Sequence, residues 1–246
     1  MHDAHFHISD ELFKDFQLYS LKGICNISSI EEYHKVQNYL KQYSFCTSIG
    51  IHPWKADSID FKEMEPYLRK AQFIGEIGLD NTWCDVDTKI QMDVFEKQLQ
   101  LAYQLKKPVI LHIKGMEKEA LSLLKKYKNC YVSHWYSCMD HLEEYDEVID
   151  YFTIGPSVGI DEAVTQVAKK IDASKLLIES DGISAIEWAT GSKEYIPTLF
   201  HSIQMIQAIK GKEIDFDLNF EQLLKRYLLI FVYPTNLASI ISPLAS

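Results

Sequence analysis

Residues 73–113 read FIGEIGLDNTWCDVDTKIQMDVFEKQLQLAYQLKKPVILHI, and the spacing of their apolar residues indicates the architecture of the chain. The stretch begins with a short apolar run, Phe73–Ile77, and ends with another, Val109–Ile113. Between them, Ile90–Lys106 places apolar residues at three- and four-residue intervals, as a helix that covers a sheet does. The order strand, helix, strand without a hairpin turn predicts parallel strands joined by a crossover helix.

The same alternation continues on both sides of this unit. We predict eight strands, in Asp3–His7, Gly23–Ile27, Phe45–Ile49, Phe73–Ile77, Val109–Ile113, Cys130–His134, Tyr151–Ile154 and Leu176–Glu179. Helical spacing recurs in Ser29–Leu40, Ile90–Lys106, Met116–Tyr127, Met139–Ile149, Ile160–Ile171, Tyr195–Ile209 and Phe220–Phe231. Eight strands alternating with helices favour an α/β fold, a closed parallel (β/α)8 barrel of TIM type.

Length and composition agree with one such barrel. The chain has 246 residues, of which 47% are hydrophobic and 24% charged. A typical (β/α)8 barrel needs roughly 250 residues. No low-complexity linker or repeat of fixed length marks a boundary between domains. We therefore expect a single barrel domain over residues 1–246.

Charge and cysteine content exclude several classes of protein. The formal net charge is −10, so the average surface repels duplex DNA and any contact with nucleic acid has to be local. The five cysteines are never in C-x-x-C spacing, which suits reduced thiols better than a disulfide framework. The N-terminus lacks the pattern of a signal peptide, and no apolar run reaches the roughly 20 residues of a membrane span. We expect a cytoplasmic protein that does not enter a membrane.

Ionisable side chains collect at the carboxyl ends of the predicted strands. His5 and His7 lie on the first strand and point the same way, because side chains alternate along a strand. Other strand ends carry Glu76, His112, His134 and Asp181. In a (β/α)8 barrel these ends meet at one rim, where active sites are built. A single histidine is more often a hydrogen-bonded packing residue, but four imidazoles and two carboxylates at one rim predict a metal site.

Several longer motifs resemble those of the TatD family of metal-dependent hydrolases, in the same order and at similar spacings. They are His5-Phe6-His7, Gly50-Ile51-His52-Pro53, Gly75-Glu76-Ile77-Gly78-Leu79-Asp80, QMDVFEKQLQLA over Gln91–Ala102, Pro108-Val109-Ile110-Leu111-His112, Ser133-His134 and Glu179-Ser180-Asp181. The resemblance runs from His5 to about Asp181. It implies a (β/α)8 barrel with a two-metal centre that hydrolyses phosphodiester bonds, in several members as a DNA nuclease.

The resemblance also implies roles for single residues. One metal would be held by His5, His7, Glu76 and Asp181, and the second by Glu76, His112 and His134. Glu76 would then bridge the two ions, and His52 would face the substrate. Asp181 is expected to act as general base, with plain metal ligation as the alternative. Nitrogen-rich ligation favours zinc, and magnesium or manganese are the other candidates.

Two features bear on the substrate. Lys114 stands where the family often has an arginine, and a lysine contacts phosphate as a point charge rather than through a planar fork. We expect Lys114 to bind a substrate phosphate. Four aromatic residues follow rim segments and suit either stacking on a base or sugar or a hydrophobic lid. They are Trp54, Trp83, Trp135 and Tyr136.

These observations predict a metal-dependent phosphodiesterase or deoxyribonuclease whose substrate, nucleic acid or a small phosphodiester, binds at the rim. An amidohydrolase that cleaves C–N bonds shares the barrel and the H-x-H motif. Its common binuclear form has a carbamylated lysine on the fourth strand, where this chain has Glu76. A non-catalytic metal-binding descendant is the third interpretation, because the family's pattern fades after Asp181 at Gly182-Ile183.

Overall fold

Eight parallel strands form one sheet in a computed structural model, which describes residues 1–43 and 45–232 apart from the side chains of residues 17 and 226–232. The strands pair in chain order: β1 (His2–Phe6), β2 (Lys22–Ile27), β3 (Cys46–Ile49), β4 (Phe73–Asp80), β5 (Val109–Lys114), β6 (Tyr131–Ser133), β7 (Tyr151–Ile154) and β8 (Leu176–Ile178). The N–H of Asp181, just past β8, donates to the C=O of His5 on β1 at 3.0 Å. The last strand therefore meets the first, which confirms the predicted (β/α)8 barrel. The predicted domain limit at residue 246 lies outside the described residues.

Helices connect the strands and cover the sheet. They are α1 (Asp10–Tyr19), α2 (Ile30–Gln42), α3 (Phe61–Leu68), α4 (Thr88–Leu105), α5 (Glu117–Lys126), α6 (Leu142–Val148), α7 (Glu162–Lys170), α8 (Ile183–Thr190), α9 (Tyr195–Lys210) and α10 (Phe216–Val232). Every predicted helix is present, although its ends differ by a few residues. The sequence did not predict α1, α3 and α8, which have only eight to ten residues.

The fourth strand differs from its prediction in a way that matters for the site. It continues to Asp80, so Glu76 lies inside the strand and not at its end as expected. Between Ile74 and Ile77, β4 contains one residue more than β5 does over the paired segment. An extra residue of this kind turns the local side chains to a new direction. Glu76 consequently points into the barrel, although strict alternation from the inward-facing Phe73 would turn it outward.

Close contact between β4 and β5 depends on Gly78. A Cβ atom at this position would lie 1.7 Å from the carbonyl oxygen of His112. No side chain fits such a gap, so glycine lets the two strands pair with Gly78 directly beside His112. The pairing fixes the height of His112 relative to Glu76, two residues earlier on β4.

The amino-terminal half of the barrel interior is an apolar layer. It consists of Ala4, Ile24, Phe73, Ile110, Cys130, Val132, Tyr151 and Leu177, closed from below by Phe220 and Leu223 of α10. Cys130 thus packs at the end of the barrel away from the rim, as expected from its position at the start of a strand. The polar residues described next are confined to the other end.

Within the described ranges, no helix combines the length and the apolar character that crossing a bilayer requires.

Candidate metal centre

The carboxylate of Glu76 lies at the centre of the barrel mouth, and its two oxygens face different imidazoles. Glu76 Oε2 lies 3.4 Å from His5 Nε2 and 3.2 Å from His7 Nε2. Glu76 Oε1 lies 3.0 Å from His112 Nδ1 and 3.5 Å from His134 Nε2. The side chains predicted at the rim are therefore brought together, and the carboxylate separates them into two pairs.

Asp181 completes the cluster from the end of β8. Its Oδ1 lies 3.3 Å from His5 Nε2 and 3.6 Å from His7 Nε2, while its Oδ2 lies 3.8 Å from His134 Nε2. Its backbone has a φ of 59°, a left-handed conformation that aspartate tolerates better than most residues. Asp181 thus reaches both pairs of imidazoles, whereas the sequence prediction assigned it to one.

His52 adds a fifth imidazole on one side of the carboxylate. Its Nε2 lies 3.8 Å from Glu76 Oε1, and its ring contacts that of His112 with a centroid distance of 4.4 Å. Burial, together with the nearby charge of His112, lowers the pKa of His52 to about 3. His52 is therefore a neutral imidazole at pH 7, placed where it can act on substrate or join the ligands.

The spacing of the donor atoms fits a metal ion. Adjacent ligands of a tetrahedral ion with bonds of 2.0–2.1 Å lie about 3.4 Å apart, and the nitrogens of His5 and His7 lie 3.2–3.6 Å from the oxygens of Glu76 and Asp181. Both ring nitrogens of His5 are buried without a hydrogen-bond partner. Since buried polar atoms without partners are costly, a cation next to His5 Nε2 would satisfy an otherwise unpaired group.

The charges of the cluster also favour a bound cation. Burial disfavours the carboxylate of Glu76, but the charges of His5 and His134 outweigh it and hold its pKa well below the usual range. For Asp181 the same balance, with His134 first among the charges, gives a pKa of about 2. Burial likewise opposes the imidazolium of His5, yet the two carboxylates raise its pKa to about 10. Protons on imidazoles supply the positive charge here, and a divalent cation would displace them.

Two further carboxylates orient the imidazoles from behind. His134 Nδ1 donates to Glu179 Oε2 at 2.7 Å, and the Thr153 hydroxyl donates to the same oxygen at 2.7 Å. His112 Nε2 donates to Asp80 Oδ2 at 3.0 Å. A carboxylate in this position fixes the tautomer and the ring orientation of a metal-ligating histidine. Glu179 and Asp80 belong to the quoted motifs but were not predicted to have a role; their signal was an acidic residue within four positions of a proposed ligand, Asp181 or Glu76.

Helix α4 holds the loops around the centre through two buried amides seven residues apart. Gln91 accepts from the N–H of Asp80 at 2.8 Å and donates to its C=O at 2.9 Å. Gln98 makes the same pair of bonds to Ile51, at 2.7 and 3.1 Å. Seven residues are two helical turns, so both amides lie on one face of α4. They fix the segments that carry Asp80 and His52.

Two cavities open from the centre and share Trp54, His112, His134 and Asp181. The polar arm, of about 470 Å³, continues past His7 to Ser9, Ser28 and Lys55. The tryptophan arm, of about 420 Å³, is bounded by Trp54, Trp83, Trp135, Trp188, Lys114, Ser137 and Asp161. Lys55 donates to the Ser28 hydroxyl at 2.7 Å. The sequence did not single out Lys55 or Trp188, and Trp188 belongs to the unpredicted helix α8.

Lys114 lines the tryptophan arm at the mouth, as expected from its place on β5, whereas Tyr136 differs from its predicted surroundings. The Lys114 ammonium donates to the C=O of Trp135 and, at 3.1 Å, to the Ser137 hydroxyl. Burial lowers its pKa, and its contact with a substrate phosphate stays a prediction. Tyr136 does not reach the mouth: it is buried and packs against Tyr145 with a centroid distance of 4.7 Å. Adjacent residues of the chain after β6 turn to opposite sides, so Trp135 lines the cavity and Tyr136 does not.

Comparisons with known proteins identify the family to which the chain is similar. The sequence model of the family described as TatD related DNase matches residues 2–223. The chain is 24% identical to an uncharacterised metal-dependent hydrolase of Methanocaldococcus jannaschii over 86% of this chain and 91% of that protein. It is 30% identical to the human 3′-5′ RNA nuclease TATDN2 over 59% of this chain but only 21% of that protein. A crystal structure of a TatD homologue from Escherichia coli K12 superposes with a TM-score of 0.75 and 20% identity, covering 95% of this chain and 98% of that one.

Proposed function

The chain belongs to the TatD family of metal-dependent hydrolases, and from this we propose that it hydrolyses phosphodiester bonds in single-stranded nucleic acid with two divalent metal ions. One observation carries the proposal: each oxygen of Glu76 faces its own set of imidazoles, His5 and His7 at Oε2, and His112, His134 and His52 at Oε1. A carboxylate placed in this way is suited to bridging two ions. A pair of metals at such a bridge is a common solution for phosphodiester hydrolysis.

The proposed ligands follow from the distances. His5, His7 and Asp181 lie with Glu76 Oε2, while His112 and His134 lie with Glu76 Oε1. Imidazole and carboxylate together favour zinc over magnesium or calcium, with manganese as the nearest alternative. When bound, two such ions would polarise the phosphoryl oxygen, ease the ionisation of a water and stabilise charge on the attacking and leaving oxygens.

Asp181 is the proposed general base. It is ionised at neutral pH, it lines both arms of the mouth, and its two oxygens face different imidazoles. A carboxylate can therefore keep one oxygen towards the ligands while the other accepts a proton from the attacking water. His52, neutral at pH 7, would hydrogen-bond to substrate without adding charge.

The proposed substrate is single-stranded for an electrostatic reason. The formal net charge of −10 gives the protein no broad cationic surface with which to follow a duplex. A flexible single strand needs only local contacts, and one lysine lines each arm of the mouth, Lys55 in the polar arm and Lys114 in the tryptophan arm. The human relative named as a 3′-5′ RNA nuclease supports nucleic acid as the class. The cysteines form no disulfide, which supports a reducing compartment such as the cytoplasm.

Hydrolysis assays with the metal-loaded protein test this proposal. We expect cleavage of a single-stranded oligonucleotide and of bis(p-nitrophenyl) phosphate, loss of both activities on chelation, and recovery with added zinc or manganese. A p-nitroanilide should stay intact. Cleavage of the anilide alone would favour the amidohydrolase alternative. A protein that binds metal fully and cleaves none of the three would be a non-catalytic descendant.

A further inference from the structure

The chain has four tryptophans, and all four surround the tryptophan arm beside the metal centre. We infer that this arm is a nucleobase-binding subsite, in which one base of a single-stranded substrate stacks on indole rings while its phosphate lies over the histidines. The inference rests on the proposed function and assigns a role to residues that the hydrolytic site does not use. Four separate segments contribute: the residues after β3, the β4–α4 loop, the turn after β6 and helix α8.

Two of the four rings are fixed in place by hydrogen bonds. Trp135 is 8% exposed, and its Nε1 donates to the Ser157 hydroxyl at 3.0 Å. The ring lies directly against Gly155, where a Cβ would come within 2.4 Å of it. Trp54 Nε1 donates to Asp80 Oδ2 at 2.6 Å. These rings are pre-organised, which is what a stacking platform needs if binding is not to cost side-chain entropy.

The other two rings are held less tightly and are more exposed than Trp54, which is itself 52% exposed. Trp83 is 62% exposed and Trp188 is 70% exposed. Trp188 meets Trp83 at a centroid distance of 6.3 Å and Trp135 at 6.1 Å, with ring planes at 82° and 69°. These edge-to-face distances lie towards the long end of the range for aromatic pairs. A hydrophobic lid would bury its own rings, so this exposure favours a binding site over a lid.

Asp80 couples the tryptophan arm to the metal centre. Its Oδ2 accepts from Trp54 Nε1 and from His112 Nε2, and its Oδ1 accepts from the N–H groups of Thr82 and Trp83, at 2.8 and 2.9 Å. One buried carboxylate therefore positions the Trp54 indole, the backbone at Thr82 and Trp83, and a proposed metal ligand together. His112 and His134 line the same cavity as the four indoles. A nucleotide whose base lies among these rings would therefore place its phosphate beside these two imidazoles.

The polar groups of the arm favour a neutral ring over a charged ligand. Lys114 already donates to the Trp135 C=O and to Ser137. Asp161 accepts from the N–H groups of Ala163 and Val164 at the start of α7. A nucleobase offers a flat neutral face for the indoles. Stacking of a base on an indole does not depend on the charge of the nucleic-acid backbone. It can therefore supply affinity in a protein whose net charge is −10.

Tryptophan fluorescence tests the subsite without catalysis, because the chain has no tryptophan elsewhere. In the metal-free protein, thymidine 5′-monophosphate should quench the emission to saturation, and ribose 5-phosphate, which has no base, should not. Trp188→Ala should weaken nucleotide binding about 10- to 100-fold, the range expected for the loss of one stacking contact. Trp188 is chosen because its contacts are with other rings and alanine suits its helix. Equal quenching by both ligands, or none by the nucleotide, would overturn the inference.

Hydrolysis separates this inference from the proposed function. The two substrates are the p-nitrophenyl ester of thymidine 5′-monophosphate and methyl p-nitrophenyl phosphate, which lacks a base. Trp188→Ala should lower kcat/KM for the nucleotide ester about tenfold more than for the base-free ester, through KM. Tyr103→Ala, an exposed aromatic at the carboxyl end of α4, should change neither. If neither ester is cleaved by the metal-loaded parent, the proposed function fails. If both are cleaved and Trp188→Ala leaves their ratio unchanged, only the subsite is wrong.

Discussion

The two halves of the barrel interior are formed by the same strands, but one half is apolar and the other is polar. On four strands, moving two residues towards the carboxyl end replaces an apolar side chain by a polar one: Ile110 by His112, Val132 by His134, Tyr151 by Thr153 and Leu177 by Glu179. Because side chains two apart share a face of a strand, both sets point into the barrel. A rise of about 6.6 Å along the strands thus separates an apolar layer from a layer of imidazoles and carboxylates.

The lower, apolar layer stabilises the fold, and the upper layer carries the groups suited to chemistry. The lower layer buries apolar surface between the strands and α10, which favours folding. The upper layer buries charged groups, and this costs free energy that their mutual pairing repays only in part. Substitutions in the upper layer should therefore affect metal binding and activity, and substitutions in the lower layer should affect the free energy of unfolding.

The largest effect is expected from Glu76→Gln. Losing the charge of the proposed bridge should empty both proposed metal positions and lower kcat/KM at least about 10³-fold, because metals contribute several kcal/mol of transition-state stabilisation. Elemental analysis and phosphodiester hydrolysis measure the two losses. Glu143→Gln, an exposed glutamate on α6, is the matched control and should retain metal and activity. Full metal content in Glu76→Gln would contradict the bridging role.

Asp181→Asn should lower kcat by about 10²–10⁴-fold, the usual contribution of a general base. The amide keeps the shape of the carboxylate but cannot accept the proton from water. The measurement is kcat in protein shown by elemental analysis to be loaded with metal, with circular dichroism to confirm the fold. Unchanged turnover in a fully loaded variant would leave Asp181 with ligation alone.

Leu177→Ala tests the lower layer. Leu177 is 1% exposed, and truncating a buried leucine costs about 2–5 kcal/mol of the free energy of unfolding. Denaturant unfolding measures the cost, which should come without a change in metal stoichiometry. If the folded Leu177→Ala protein lost metal, the lower layer would contribute to metal binding as well as to stability, and this would contradict the proposed division.

Glu179→Gln tests the upper layer two residues further along the chain. A partner that orients a metal-ligating histidine contributes about 10- to 100-fold to metal affinity, and Glu179 bonds to His134 Nδ1. Competition with a chromophoric chelator measures the affinity. Leu177→Ala is the matched comparison and should stay within about threefold of the parent. Equal affinities in all three proteins would remove the orienting role from Glu179.

The smallest effect concerns Lys114. If its ammonium neutralises a substrate phosphate, Lys114→Ala should raise KM for an oligonucleotide and reduce the slope of log affinity against log salt by about 0.7, the value for one contact with a single strand. Lys114→Arg should keep turnover, because its fork can hold phosphate with two hydrogen bonds. A salt series that superposes for Lys114→Ala and the parent would confine Lys114 to its bonds with Trp135 and Ser137.

The sequence was sufficient for the barrel and for the convergence of the polar side chains, because the periodicity of strands and helices is local information. It misplaced Glu76 at a strand end because β4 continues to Asp80, and it could not show the extra residue of β4 relative to β5, which depends on the pairing of the two strands. It placed Tyr136 at the mouth, since the direction of a side chain in a turn depends on what packs beneath it.

Other parts of the site needed the third dimension altogether. Asp80 and Glu179 act through His112 and His134, which lie 32 and 45 residues away in sequence. Trp188 lies on a helix too short to show a clear period, yet it faces Trp83 and Trp135. The periodicity of each segment does not show which distant segment it will contact.

Anomalous diffraction from crystals of protein purified without chelator tests the bridging claim most directly. Two peaks are expected on opposite sides of the Glu76 carboxylate, one beside His5 and His7 and the other beside His112 and His134. Data collected on both sides of the zinc and manganese absorption edges would identify the ions. A fully occupied metal away from Glu76, or six rim side chains without a peak in crystals whose elemental analysis shows two metals per chain, would contradict the bridging claim.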